Sequence, residues 1–257
     1  MSKNNTERQE KISRLVEDKE EIVTVDELSA LFKVSKATIR RDLEELSSQG
    51  LVRRQHGGAS KAVIKSKEPP LLQRSSLLSE EKKKIGKAAA DLIADGETIF
   101  LGSGSTVLEV ARQLKDKKGI SVISNSLPVI NAINSFLDIN IIVVGGMLRK
   151  SEQSMLGHIT EKALKELRAD KVIMGIQGIH LDYGLTNNYL PETTIDRNII
   201  NISEKVIIVA DHTKFGQINS AFVADCSLVD TFVTDSGISP ELSSAIINNG
   251  LSLIVAK

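Results

Sequence analysis

Residues 34–46 constrain this chain more than any other stretch. They read Val34-Ser35-Lys36-Ala37-Thr38-Ile39-Arg40-Arg41-Asp42-Leu43-Glu44-Glu45-Leu46. The Ser35 hydroxyl is placed to accept a hydrogen bond from a first-turn amide that has no intrahelical partner. Ile39, Leu43 and Leu46 recur at helical spacing and predict one buried face. Lys36, Thr38, Arg40 and Arg41 then point away from it, and Gly50 marks the end of the helix. A helix that hides leucines and shows short polar and basic side chains suits a DNA groove.

The flanking sequence agrees. Thr6-Glu7-Arg8-Gln9 and Thr24-Val25-Asp26-Glu27 both have the capping-box pattern. The first predicts a helix with Ile12, Leu15 and Val16 inward, the second a helix with Leu28, Leu31 and Phe32 inward. Lys33 and Val34 leave a tight turn before Ser35, which is the helix-turn-helix arrangement. Leu51-Val52-Arg53-Arg54-Gln55-His56-Gly57-Gly58 predicts a small hairpin, or wing. The first sixty residues balance their charges, but Lys33, Lys36, Arg40 and Arg41 run without an acid. Arg53 and Arg54 add to that basic edge, which can neutralise a few phosphates of duplex DNA.

Length and composition exclude several classes. At 257 residues the chain has room for two domains. A single cysteine, Cys226, excludes an intramolecular disulfide framework and reads as a small buried hydrophobe. The N-terminal residues lack the apolar stretch of a signal peptide, and no apolar run is long enough to span a bilayer. The expected location is the cytoplasm, with no membrane partner. Trp is absent, so stacking platforms for single strands are not expected. The four histidines show no ligand spacing, and neither a metal nor a cofactor is called for.

The expected domains are residues 1–58, a linker over 59–79 carrying Lys61, Lys65, Lys67 and Pro69-Pro70, and residues 80–257. The last opens on an amphipathic helix with Ile85, Ala88, Ala89, Leu92 and Ile93 on one face, stopped by Asp95-Gly96. Aliphatic runs at 98–101, 121–124, 139–144, 171–175, 205–210, 231–234 and 251–255 then alternate with helical patterns such as 107–114 and 161–167. Strands of this kind are buried on both faces of a parallel sheet, so the predicted fold is a doubly wound, Rossmann-like α/β domain.

In such folds ligands sit beyond the carboxyl ends of the strands, where the unusual residues collect. The first strand ends in Gly102-Ser103-Gly104-Ser105-Thr106 before a helix, a pattern that can cradle a phosphate on free amides. Others end in Asn125-Ser126-Leu127-Pro128, in Gly145-Gly146, and in Asp211-His212-Thr213-Lys214-Phe215-Gly216; a further loop runs from Gly178 through His180 and Asp182 to Asn187. Each has a plainer reading: a turn, a structural histidine, an aspartate capping its own loop, a solvated lysine.

Along essentially its whole length the chain resembles the DeoR family of bacterial transcription regulators. The stretch Ser35 to Leu43 and the stretch Arg53 to Gly58 resemble the family's winged helix. Residues 102–106, Asn125-Ser126-Leu127-Pro128, Gly145-Gly146, Gly184-Leu185-Thr186, and Asp211 with Lys214-Phe215-Gly216 resemble its sensor domain, which is related in fold to ribose-5-phosphate isomerase and glucosamine-6-phosphate deaminase. The resemblance implies a repressor of sugar-metabolism genes controlled by a phosphorylated sugar. One position departs: the family usually has Asp where this chain has Gly102.

The expectations are therefore specific. Ser35, Lys36, Thr38, Arg40, Arg41, Arg53 and Arg54 meet double-stranded operator DNA. Ser103, Gly104, Ser105, Thr106, Asn125, Gly145, Gly146, Glu192, Asp211 and Lys214 hold the effector. A homo-oligomer, dimer or tetramer, reads repeated half-sites. The rival reading is a sugar-phosphate isomerase or deaminase with a DNA-binding appendage, using Asp182, Glu192, Asp211 and His212 as acid-base groups. A third is a constitutive DNA-binding protein with a vestigial sensor.

Overall fold

The computed structural model describes residues 8, 9, 11–13, 15, 16, 19, 22–48, 52–55, 57–61 and 69–257. The chain divides into two compact units, Met1–Pro69 and Pro70–Lys257.

In the first unit residues 8, 9, 11–13, 15 and 16 are helical. Strand β1 (Val23–Thr24) leads into helix α1 (Val25–Phe32), and α2 (Lys36–Ser48) follows the turn at Lys33. Thr24 and Glu27 form a reciprocal capping box, and Lys33 ends α1 in the left-handed region at φ 53°. Strands β2 (Val52–Gln55) and β3 (Gly58–Lys61) pair antiparallel, and β1 adds on the far side of β3. Ile12, Val16, Leu28, Ile39, Leu43, Leu46, Val52 and Ala59 make one buried cluster. Leu31 corrects the sequence reading: it is 61% exposed, so α1 turns only Val25 and Leu28 fully inward. The expected capping residues Thr6 and Glu7, the helix end at Gly50, and Leu51 and His56 of the wing lie outside the described residues.

Part of the 59–79 stretch belongs to regular structure. Its first residues, 59–61, belong to β3, and Leu71–Arg74 form a short helix, α3, inside the second unit. Leu71 is fully buried there.

Helix α4 (Ser79–Ala90) then opens the second unit proper. The strands β4 (Thr98–Leu101), β5 (Ile120–Ser124), β6 (Ile139–Val143), β9 (Lys171–Met174), β12 (Val206–Val209), β14 (Thr231–Asp235) and β15 (Ser252–Ala256) form one sheet in the order β15-β14-β12-β9-β4-β5-β6, parallel throughout. The intervening helices are α5 (Ser105–Arg112), α6 (Leu127–Ile133), α7 (His158–Lys165), α8 (Leu190–Ile200) and α9 (Pro240–Asn248). Alternate residues of each strand enter different cores. Phe100 joins Val172, Met174, Ile208, Phe232 and the α8 residues Ile195 and Ile199. Ile99 and Leu101 join Ile85, Ala89, Val107, Val110, Ile207 and Val233 on the other face. Burial on both faces is why the inner strands β4, β9 and β12 are almost wholly apolar, whereas the edge strands β6 and β15 are partly exposed.

Two small sheets have no counterpart in the sequence reading. The hairpin β7 (Met147–Arg149) and β8 (Ser154–Leu156) lies between β6 and α7, with Gln153 held at φ 51° in its turn. Strands β10 (Gly178–His180), β11 (Gly184–Asn187) and β13 (Ala221–Ala224) make an antiparallel sheet.

The strand order fixes where a ligand fits. From β4 the chain proceeds outward through β5 to β6, and then restarts on the other side with β9, β12, β14 and β15. Neighbouring strands β4 and β9 therefore send their connections to opposite faces, and a crevice forms between their carboxyl ends.

Candidate functional site

Helix α2 presents the residues expected to read DNA on one side and is held by its own buried side. The Thr38 amide donates to Ser35 Oγ at 3.1 Å, and the two hydroxyls lie 2.9 Å apart, so Ser35 caps the helix while Thr38 stays half-buried. Lys36, Arg40 and Arg41 are exposed. Lys36 pairs with Asp26 at 2.8 Å across solvent, a contact weak enough to exchange for a phosphate. Arg53 and Arg54 stand on β2 in register with Ser60 and Ala59. Asp42, read from sequence as part of the recognition motif, is a framework residue. It is 2% exposed and accepts from Arg8 Nε at 2.7 Å and from Gln9 Nε2 at 3.2 Å. Gln9 Nε2 also reaches Glu45 at 2.8 Å. The aspartate carboxylate raises the Arg8 pKa through that hydrogen bond and its charge, against the opposing effect of burial. The pair locks the first helix onto α2.

In the second unit the loop from β4 to α5 occupies the crevice. Gly104 precedes α5 at φ 126°, ψ 152°, a conformation side chains disfavour, and it turns the chain so that α5 begins at Ser105. Ser103 and Gly104 are half-buried, while Ser105 and Thr106 are buried. A Cβ at Gly175, after β9, would lie 3.5 Å from the Ser103 carbonyl oxygen and 3.8 Å from that of Val209, so the ends of β4, β9 and β12 converge. On the other flank Ser124 Oγ donates to the Leu101 carbonyl at 2.8 Å, bringing the β5 end alongside. Asn125 is 4% exposed; its Nδ2 donates to the Met155 carbonyl at 2.9 Å, and its buried Oδ1 has no hydrogen-bond partner among the described residues. At Gly102 a Cβ would stand 3.2 Å from Met174 Cβ, so glycine lets β4 and β9 close together there.

Glu192, on the first turn of α8, is 7% exposed and paired with Arg149 of β7, whose guanidinium lies 4.2 Å from the centre of the Tyr189 ring. Ser154 Oγ reaches the same carboxyl at 3.3 Å. Burial raises the Glu192 pKa, partly offset by Arg149 and reinforced by Glu152. One turn on, Asp196 accepts from Asn187 Nδ2 at 2.6 Å, and burial followed by the Glu192 charge lifts its pKa well above the usual range. Asn187 Oδ1 in turn accepts from the Gln177 amide at 3.1 Å, at the carboxyl end of β9. Arg149, Ser154, Gln177 and Asp196 were not singled out from sequence. The spacing of Glu192 and Asp196, four apart on one helix face, was the available signal.

The remaining expected residues are more distant. Asp211 caps its own turn, accepting from the Thr213 amide at 3.1 Å, which is the plainer reading of that residue. Lys214 is half-buried in the same 3-10 turn, His212–Lys214. Gly145 and Gly146 are exposed at the sheet edge beyond β6, and the Gly145 carbonyl accepts from Thr160 Oγ1 at 2.8 Å. Strands β6 and β12 are separated by three intervening strands, about 19 Å at the usual spacing, so one small ligand centred on β4 does not reach both flanks at sheet level. A cavity of about 240 Å³ opens elsewhere, among Ile179, His180, Leu181, Phe215, Leu242 and Ile246. Asp182 also lines it and neither lysine nor arginine does, so it does not suit a phosphate.

The rival catalytic set does not assemble. Asp182 is exposed beside His180, Glu192 is taken by Arg149, and His212 Nδ1 lies 2.7 Å from Asp235. Cys226 is buried, its thiol pushed up to about 11 by desolvation and then by Asp225, as suits a small hydrophobe. No helix among the described residues is long and apolar enough to cross a membrane.

A winged helix-turn-helix joined to a doubly wound α/β unit defines a DNA-binding transcription regulator. Residues 8–65 match the DeoR-like helix-turn-helix domain and residues 78–236 the DeoR C terminal sensor domain. The chain is 35% identical over 232 residues to the transcriptional repressor AccR of Agrobacterium fabrum, covering 90% of each chain. It is 36% identical over 231 residues to the glycerol-3-phosphate regulon repressor of Escherichia coli K12, covering 90% of this chain and 91% of that one. Among solved structures, ribose 5-phosphate isomerase A from Methanocaldococcus jannaschii is similar at 18% identity and a TM-score of 0.40, covering 54% of this chain and 55% of that one. The chain belongs to the DeoR family of transcriptional regulators. It is a regulator and not the isomerase or deaminase of the rival reading.

Proposed function

We propose that this protein represses sugar-metabolism genes by binding operator DNA through Ser35, Lys36, Thr38, Arg40, Arg41, Arg53 and Arg54, and that a phosphorylated sugar or a close relative sets its operator affinity. The effector is held where β4, β5 and β9 end. The observation that carries this reading is the pairing of two binding capacities at the adjoining ends of β4 and β5. The α5 amides after Gly104 suit an anion, and the buried Asn125 Oδ1 suits a hydroxyl donor. Ser103, Ser105 and Thr106 add hydroxyls, and Glu192 with Arg149 closes one flank. Lys214 and Asp211 belong to a second arc on the β12 side, with Gly145 and Gly146 framing the edge. The similarity to a glycerol-3-phosphate regulon repressor supports a small phosphorylated polyol or sugar.

One winged helix covers little DNA, so two or more copies read repeated half-sites. The exposed Ile142, Val143, Met147 and Leu148 along the β6 edge support association of this unit with another copy. A coupling of about 1–3 kcal/mol between the sites changes operator affinity roughly 5- to 150-fold.

The test is a thermal-shift screen with glycerol 3-phosphate, ribose 5-phosphate and glucosamine 6-phosphate, each beside its unphosphorylated counterpart. Compounds that shift the transition are then titrated against operator DNA selected by the protein from random duplexes. A phosphate-dependent shift accompanied by changed operator affinity is expected. No shift with any compound favours a constitutive DNA-binding protein. Turnover of ribose 5-phosphate or glucosamine 6-phosphate contradicts a purely regulatory role.

A further inference from the structure

The β7–β8 hairpin touches the candidate effector site at one end and the short helix α3 at the other. On the site side, Arg149 pairs with Glu192 and Ser154 Oγ reaches the same carboxyl. Met155 and Asn125 exchange hydrogen bonds, and the Leu127 amide donates to the Gln153 carbonyl at 2.9 Å. On the linker side, the Leu71 amide donates to the Ser151 carbonyl at 2.9 Å, and Arg74 pairs with Glu152, which is 4% exposed. Arg149 Nε binds Ser151 Oγ at 3.1 Å, so one arginine side chain joins the two ends. Leu71 is fully buried, and Lys82 Nζ donates to the carbonyls of Arg74 and Leu77 at 2.7 Å each. Residues 71–77 are thus anchored, and part of that anchor is hung on the hairpin.

The turn itself is strained. Gln153 holds φ 51°, a backbone strain that persists only while its surroundings enforce it. The buried carboxyls Glu192, Glu152 and Asp196 repel one another through a dry interior, and Arg149 and Arg74 neutralise two of them. An anion arriving near Arg149 competes with Glu192 for it and alters the balance that seats the hairpin.

We infer that residues 149–155 are the transmission element of this protein: occupancy beside Glu192 is read out as a change in how firmly Ser151 and Glu152 hold Leu71 and Arg74, which open the second unit just after the boundary at Pro69. Arg149 and Arg74 are positioning residues in this scheme. It deepens the proposed function, since it assigns that site its route to the DNA-binding unit.

Amide hydrogen exchange of the full-length chain, read by mass spectrometry, tests the relay without any ligand. Glu192→Gln keeps the shape of the side chain and removes the charge that holds Arg149. It is expected to speed exchange at residues 71–77 about fivefold while β9 and β12 exchange at the wild-type rate. In a Glu152→Gln background, where the anchor is already loosened, Glu192→Gln is expected to add nothing. Unchanged exchange at 71–77, or the same acceleration in both backgrounds, overturns the inference. If Glu192→Gln also speeds exchange in β9 and β12, Arg149→Lys replaces it under the same criteria. A chain that shows the coupled exchange but binds no sugar phosphate keeps the relay and loses the proposed effector.

Discussion

The side-chain amide of Asn125 donates to the Met155 carbonyl at 2.9 Å, and the Met155 amide returns a hydrogen bond to the Asn125 carbonyl at 2.7 Å. This exchange binds the end of β5 to the β7–β8 hairpin and aims the remaining oxygen of Asn125 at no protein donor among the described residues. Asn125→Asp places an oxygen against the Met155 carbonyl at almost unchanged volume. It is expected to lower stability by about 1–3 kcal/mol and to weaken the thermal shift given by a sugar phosphate. A denaturant midpoint and shift equal to wild type remove Asn125 from the site.

Gly104 and Gly102 make a paired test of the β4–α5 loop. Alanine at 104 must adopt φ 126°, which costs about 1–3 kcal/mol. At 102 the backbone is unexceptional and only Met174 must give by a few tenths of an ångström, so Gly102→Ala costs less. Urea unfolding of both variants decides the order; equal midpoints mean the loop relaxes and does not present α5 as described.

Arg40 is exposed on the reading face of α2. Arg40→Ala is expected to weaken operator binding and to reduce the slope of log affinity against log salt by about 1. A lower affinity with an unchanged slope assigns Arg40 a role other than phosphate contact.

Asp42 faces the other way. Asp42→Ala leaves Arg8 and Gln9 without the carboxylate that fixes the first helix to α2. The expected loss is about 1.5–3 kcal/mol in the N-terminal unit, with operator binding lost in parallel as temperature rises. Full operator affinity and unchanged melting of that unit contradict the framework role.

Two buried aspartates give opposite pH dependences. Burial and the Glu192 charge raise Asp196, so the folded chain holds its proton more tightly than the unfolded chain. Stability on that account is greatest below the unfolded carboxylate pKa and falls as pH rises towards the folded value. Asp235 opposes burial with bonds from His212 and Gly237 that lower it, so its contribution is present above the unfolded value and lost as pH falls through the folded one. Stability measured against pH is expected to lose part of its descending component in Asp196→Asn, Glu192 keeping a share, and part of its acid-side component in Asp235→Asn. Parallel curves for wild type and Asp196→Asn contradict the first assignment.

The parts of this structure that could be read from sequence are those specified locally. Ser35 and Thr24 cap helices with their own side chains, and the 39-43-46 repeat closes within one helix. The inner parallel strands announce themselves as aliphatic runs because both their faces are covered. The loop at 102–106 was legible for the same reason: its glycines and the following helix start are contiguous. The β10-β11-β13 sheet was not, because its strands are three or four residues long and Leu185 pairs with Ala224, far along the chain. The Arg149–Glu192 and Arg74–Glu152 pairs join residues separated by forty or more positions, and no local pattern encodes them. Leu31 had the right spacing for burial, yet the three-stranded wing and the first helix leave that side of α1 open.

The most direct test of the central claim is a pair of titrations with one compound, for example glycerol 3-phosphate beside glycerol. The account predicts that the phosphorylated member alone stabilises the full-length protein, by about 2.7 kcal/mol at a hundredfold excess over its dissociation constant, and alone changes operator affinity. A phosphate-dependent stabilisation that leaves operator affinity untouched, or an operator response that ignores the phosphate, contradicts it.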